Sequence, residues 1–334
     1  MIDATLTSRF RTDFAALATP PSPAAPLGIA VSGGADSVAL LLLAHAAWPG
    51  AVSAATVDHG MRAEATDEAR QVAGLCATLS VPHATLTADA AGATGNRQHW
   101  ARATRYRLLA DWAARGRIAA VAVAHHADDV AETFLMRAAR GAGVRGLAAM
   151  PAVRVLDRSA VLLVRPLLGW RRAELAAVVA NAGIAAILDP SNGDPRFNRA
   201  RVRRLLGASA DLPTDRLAAT AANLRDAEEA IEWAVQQALA GRFAEDDAGV
   251  RLDVDGLPFE VRRRLVLRAV ETVRQQRGVF GAWRETAVPD LVRALAAGGG
   301  GTGADVIGTA CGDRWQFRAA PPRRSDETGP ARDK

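Results

Sequence analysis

The chain has 334 residues, of which 49% are apolar and 23% charged, and a net charge of +5. That length fits about two domains, and that apolar content supports packed cores, which excludes wholesale disorder. Cys76 and Cys311 are the only cysteines and Lys334 is the only lysine, so a disulfide framework, a zinc knuckle, a Walker A lysine and a Schiff-base lysine are all excluded. Met1–Pro20 has no apolar leader core, and the longest apolar run, Val38–Trp48, is broken by His45 and too short for a bilayer. A cytoplasmic chain with no membrane partner is expected.

Leu6, Phe10, Phe14 and Leu17 recur at helical spacing and predict a short amphipathic helix. After a proline-rich arm, apolar strands and amphipathic helices alternate. Strands are predicted at Leu27–Val31, Val52–Val57, Pro82–Leu86, Ile118–Ala124 and Val161–Val164. Helices are predicted at Asp36–Ala47, Thr66–Leu79, Gln98–Ala114, Asp128–Ala139 and Arg171–Asn181. This alternation implies an α/β fold, doubly wound, with a mostly parallel sheet whose ligands bind beyond the carboxyl ends of the strands. The rhythm then changes to helices at Arg216–Ala240, Glu260–Arg274 and Val288–Ala297, a break at Gly298–Gly301 and a small hairpin within Val306–Phe317. The expected division is a catalytic domain over 1–211, a smaller, mainly helical domain over 212–320 and a disordered tail over 321–334.

Ser32-Gly33-Gly34-Ala35-Asp36-Ser37 stands between the first strand and its helix. Two glycines permit a tight turn, and the helix N-terminus offers free N–H groups to an anion. Asp36 can cap the helix or hold magnesium beside a phosphate. Asp58-His59-Gly60-Met61-Arg62 ends the second strand and on its own reads as a polar strand end with Gly60 in a turn. Arg102 and Arg105 share a helix face and suit a phosphate clamp or a solvated basic surface.

His125-His126-Ala127-Asp128-Asp129 follows the fourth strand, with Glu132 one turn on. Asp128, Asp129 and Glu132 fall within about 100° of one helix face. Carboxylates so close raise one another's pKa unless cations lie among them. Magnesium and an alkylammonium would serve, whereas adjacent histidines point different ways and give poor zinc geometry. Gly141–Gly146 spells GxGxxG but follows a helix, so the dinucleotide reading fails its context and a loop over the site is expected. Asp189-Pro190-Ser191-Asn192 reads as a turn, and Arg199, Arg201, Arg203 and Arg204 as either a solvated face or a contact for RNA or carboxylate.

SGGADS, VDHGMR, the RATRY segment, HHADDVAET, RPLL at Arg165–Leu168 and DPSN followed by arginines occur in that order. Together they resemble the tRNA(Ile)-lysidine synthase family of PP-loop ATP pyrophosphatases over Leu27–Leu206. The resemblance implies ATP and magnesium, with free L-lysine and a CAU-anticodon tRNA(Ile) as partners. The wobble cytidine is adenylated and lysine then attacks carbon 2, so that the tRNA reads AUA rather than AUG.

Carried onto this sequence, the family's catalytic positions fall on Asp36, Arg105, Asp129 and Glu132. Its nucleotide contacts fall on Ser32, Gly33, Gly34, Asp36, Ser37, Asp58 and His59, and its metal ligands on Asp36 and Asp128. Asp129 and Glu132 would grip the lysine amine, with Arg199 and Arg203 near substrate or tRNA. The region from Asp211 resembles the family's tRNA-binding domain in length and pattern. Oligomeric state is left open, a homodimer included. A tRNA 2-thiocytidine synthetase is the alternative, but it needs cysteines that this chain does not pair. A catalytically silent tRNA-binding protein is disfavoured by the intact acids.

Overall fold

The computed structural model describes residues 2–60, 64–89, 97–156, 159–185, 187, 198–280, 283 and 285–321. It divides into two compact units that meet in sequence at Arg225 and Asp226, fourteen residues beyond the division that composition had suggested.

The first unit opens with α1 (Ala4–Ala15), capped by the Asp3 carboxylate, which accepts from Thr5 N–H at 2.6 Å. Phe10 and Phe14 are buried there, with ring centroids 5.7 and 4.9 Å from Trp48. The alternating elements follow as β1 (Leu27–Ala30), α2 (Ala35–Ala47), β2 (Val52–Asp58), α3 (Glu64–Thr78), β3 (His83–Thr87), α4 (Arg97–Arg115), β4 (Ala120–Ala122) and α5 (Ala127–Ala138). A short α6 (Val144–Leu147), β5 (Val153–Val155), β6 (Leu162–Val164), α7 (Arg172–Asn181) and α8 (Asn198–Ala208) complete them before the long α9 (Thr214–Arg242).

The sheet order is β3-β2-β1-β4-β6-β5, parallel throughout except for the β5–β6 pair. Strand order reverses between β1 and β4, and a doubly wound sheet opens its ligand crevice at such a reversal. The SGGADS turn and the HHADD segment leave those two strands. Helix α2 is apolar on nearly every side because it packs against the sheet while α1 and α7 cover it. Leu40, Leu41 and Leu43 are wholly buried in that core.

The second unit adds a sheet to the expected helices. The end of α9, α10 (Phe259–Gln276) and α11 (Val288–Ala296) are joined by a five-stranded sheet in the order β7-β8-β11-β10-β9. Its strands are β7 (Phe243–Asp246), β8 (Gly249–Asp253), β9 (Gly300–Gly303), β10 (Val306–Cys311) and β11 (Arg314–Ala319), all antiparallel. The anticipated hairpin is β10–β11. The glycine run expected to break the chain instead forms an edge strand, because its backbone lies against β10: a Cβ on Gly300 would stand 2.8 Å from the Gly308 carbonyl oxygen.

Candidate active site

All the site residues described here lie in the first unit. The SGGADS turn is held from within. Ser32 N–H donates to Ser37 Oγ at 3.1 Å, and Ser37 Oγ–H donates to the Gly34 carbonyl at 2.9 Å. Gly33 has φ +85°, and a Cβ there would lie 2.3 Å from Ile187 Cδ1. Both the left-handed backbone and the close approach require glycine. Ile187 N–H also donates to the Gly33 carbonyl at 3.0 Å. The first turn of α2 therefore faces the crevice with N–H groups that its own carbonyls cannot satisfy.

A cavity of about 210 Å³ adjoins this turn, lined by Ser32, Asp36, Ser37, Arg105, Tyr106 and His125, with Ala55 and Val57 of β2. The Arg105 side chain lines the cavity wall but is exposed, and the surrounding protein, then nearby Arg102, pulls its pKa below the usual value against the opposing effect of Tyr106. A cation on the cavity wall without a carboxylate partner among the described residues suits an anionic ligand. Asp58 and His59 sit at the end of β2. Asp58 is committed to the turn, accepting from Gly60 N–H at 2.8 Å and from Thr66 Oγ–H at 3.3 Å. Both ring nitrogens of His59 are buried without a partner. Burial, then Arg105, lowers its pKa against the opposing pull of Asp58. Met61, Arg62 and Asp189–Asn192 lie outside the described residues.

His126 caps α5 and is fully buried. Its Nε2 faces Asp36 at 3.4 Å and Asp129 at 3.5 Å, while its Nδ1 faces Asp128 at 3.5 Å. Burial opposes a charged ring, but Asp128, Asp36 and Asp129 outweigh it and raise the His126 pKa to about 9. Asp128, expected with Asp36 at a metal, faces the other ring nitrogen. Its carboxylate accepts from Arg172 N–H at 2.8 Å and from Arg171 Nε at 3.4 Å. Burial alone would raise the Asp128 pKa, but the His126 ring and these donors hold it below the usual range. Asp36 and Asp129 are therefore the two acids on the Nε2 side of the His126 ring. Two hard carboxylate oxygens there fit magnesium, which takes one or two protein carboxylates plus phosphate oxygens.

Glu132 is 1% exposed and held by arginines from two helices. Arg199 Nε and Arg203 Nε each donate to it at 2.7 Å, and Arg172 Nη2 approaches at 3.4 Å. Arg199 Nη2 also donates to Asp129 at 2.8 Å. Burial would raise the Glu132 pKa, but Arg203 and Arg199 outweigh it and lower it. The structure thus brings together Asp129, Glu132, Arg199 and Arg203, with the acids facing guanidinium groups rather than an open ammonium pocket. The parts played by Arg171 and Arg172 escaped the sequence reading, since nothing in RPLLGWRR announces a partner more than 40 residues upstream.

The His126 arrangement predicts a stability effect with a definite sign. The folded ring titrates near 9, against about 6.5 in an unfolded chain. Its contribution is complete below the unfolded value and lost as pH rises through the folded one. Urea unfolding should show a decline on the order of 3 kcal/mol across that window, absent from His126→Asn. Equal slopes in both proteins would contradict the charged ring.

The PP-loop domain family matches residues 6–209. A tRNA(Ile)-lysidine synthase from Zymomonas mobilis is 46% identical over 301 residues, covering 89% of each chain. Another from Novosphingobium aromaticivorans is 45% identical, covering 96% of this chain and 95% of that one. Among solved structures, the U34-tRNA thiolase NcsA from Methanococcus maripaludis with its 4Fe-4S cluster aligns with a TM-score of 0.52 at 17% identity. It covers 66% of this chain and 76% of that one, a likeness of fold. The match over residues 6–209, with the SGGADS turn at the strand reversal, places this chain among the PP-loop enzymes, which use ATP as co-substrate. Within that class the chain belongs to the tRNA(Ile)-lysidine synthase family, enzymes that modify tRNA. Among the described residues no helix is long and apolar enough to cross a membrane.

Proposed function

We propose that the chain joins free L-lysine to carbon 2 of the wobble cytidine of a CAU-anticodon tRNA(Ile), through an adenylated cytidine, in the cytoplasm. The observation that carries this is the convergence of Asp36, His126 and Asp129 beside the SGGADS turn. ATP would lie across the crevice, its phosphates against the N-terminus of α2 and the adjoining cavity lined by Ser32, Ser37, Arg105 and His125. Asp36 and Asp129 would hold magnesium, which when bound neutralises charge on the transferring phosphoryl group. Arg105 supplies a positive charge on the cavity wall.

The acids of α5 then serve the second half-reaction. Asp129 and Glu132 are the anionic partners for the lysine ammonium, and one accepts its proton, because only the neutral amine attacks. Each carboxylate oxygen has more than one lone pair, so the amine can share these acids with Arg199 and Arg203. The thiolase alternative lacks its chemistry here: Cys76 is buried, with burial pushing its thiol up to about 11, and Cys311 belongs to the second unit.

Nucleoside mass spectrometry after incubation with ATP, lysine and tRNA(Ile) tests the reading. Lysidine is expected, and its absence with a folded protein would remove the proposal. The second unit is the proposed tRNA-binding domain, and α8 of the first unit is a separate proposed contact. Arg201 and Arg204 are exposed on α8. Replacing both with Ala should weaken binding and reduce the log–log salt slope by about 0.7–0.9 for each phosphate that is no longer neutralised. An unchanged slope would return this face to solvent.

A further inference from the structure

His125 and His126 are adjacent but held in opposite ways. His125 leaves the end of β4 and lines the nucleotide cavity with Ser32, Asp36 and Ser37. Its Nδ1 accepts a hydrogen bond from Arg165 Nε at 3.1 Å. Arg165 is 2% exposed, and its Nη1 donates to the Pro151 carbonyl at 2.6 Å. Among the described residues no carboxylate pairs with it. A buried guanidinium without a carboxylate is costly unless its donors are used well.

A guanidinium can only donate. The Nδ1 of His125 must therefore carry a lone pair, and a neutral imidazole with a bare Nδ1 carries its hydrogen on Nε2. An imidazolium would set N–H against N–H and lose this bond. The surroundings agree: burial, then Arg165, Arg102, Arg199 and His126, push the His125 pKa down to about 3. Nε2 has no protein partner among the described residues.

We infer that Arg165 is a positioning residue that locks His125 in the Nε2–H tautomer, giving the cavity a neutral hydrogen-bond donor for a phosphate oxygen of the bound nucleotide. This rests on the ATP reading of the site. A neutral donor adds a directed contact to the cavity wall without adding a further charge to it. Arg165 touches no substrate itself and acts through His125.

The test begins with the wild-type protein. Long-range proton–nitrogen correlation on 15N-histidine-labelled protein near neutral pH, assigned with His125→Gln, should show Nε2 protonated and Nδ1 bare. An Nδ1–H tautomer or an imidazolium would overturn the inference without any variant having to fold. In Arg165→Met, the His125 signals should become a tautomer mixture, and kcat for tRNA-dependent pyrophosphate release should fall about 10²-fold, the effect of removing one transition-state donor. KM for ATP should change little. Arg165→Lys, which keeps a donor, should recover part of the loss.

In a His125→Gln background the amide N–H donates whatever residue 165 is, so Arg165→Met should add little. Equal losses in both backgrounds would reduce Arg165 to a structural residue. Lack of wild-type turnover would count against the nucleotide reading alone, because the tautomer is read without catalysis.

Discussion

Asp36→Asn is expected to abolish most ATP cleavage while leaving the fold intact. Asp36 sits in the first turn of α2, with its carboxylate 3.4 Å from His126 Nε2. The substitution keeps the shape and removes the charge that faces both the imidazolium and the proposed magnesium position. Removing one preorganised electrostatic interaction costs about 10²–10³ in rate. The measurement is tRNA-dependent pyrophosphate release by a variant whose circular dichroism matches the wild type. Full turnover would mean that the carboxylate only caps a helix. Partial recovery with raised magnesium would mark it as a metal ligand.

The second large effect separates the two half-reactions. Asp129→Asn with Glu132→Gln removes both charges offered to the lysine amine. Charge-assisted hydrogen bonds become neutral ones of about half the strength, and the amine loses its proton acceptor. Lysidine formation should fall by at least the 10²–10⁴-fold typical of general-base removal, with pyrophosphate release persisting at a reduced level because Asp129 also faces the magnesium position. Glu132 is buried among arginines that are themselves about one-third to two-fifths exposed, so Glu132→Gln should also cost roughly 1–3 kcal/mol of stability. Glu132→Gln alone divides the roles. If pyrophosphate release survives and lysidine does not, Glu132 serves the amine. If both survive, Glu132 is a structural anchor for α8.

The fold of the first unit was legible wherever one apolar run met one turn signal. Val38–Leu43 flanked by glycines, and the apolar strands before SGGADS and HHADD, leave few alternatives. Elements whose stability comes from distant partners were not legible. The three-residue β5 forms only against β6. Strand β7 is acidic, and its partner β8 is fixed by pairing with β11, more than 60 residues later. Gly249 shows the same dependence: a Cβ there would lie 2.1 Å from the Phe317 carbonyl oxygen.

The site divided along the same line. The acids and glycines were visible because they crowd into short segments. Their pairings were not, because Glu132 meets Arg203 across 71 positions of sequence and Asp128 meets the Arg172 N–H across 44. Charge alone suggested that cations belonged among the carboxylates. The structure supplies an imidazolium and guanidinium groups from the chain itself.

Ile187, beyond α7, and Arg199, in α8, are each anchored at the proposed site. Ile187 fills the space above Gly33 and bonds to its carbonyl, and Arg199 grips Glu132 and Asp129. Twelve positions separate two anchors that belong to different halves of the proposed chemistry. Ile187 thus ties the residues after α7 to the turn proposed to receive phosphate, and Arg199 ties α8 to the acids proposed to receive the amine. A substitution at either anchor should therefore show first in the half-reaction that its partner is proposed to serve.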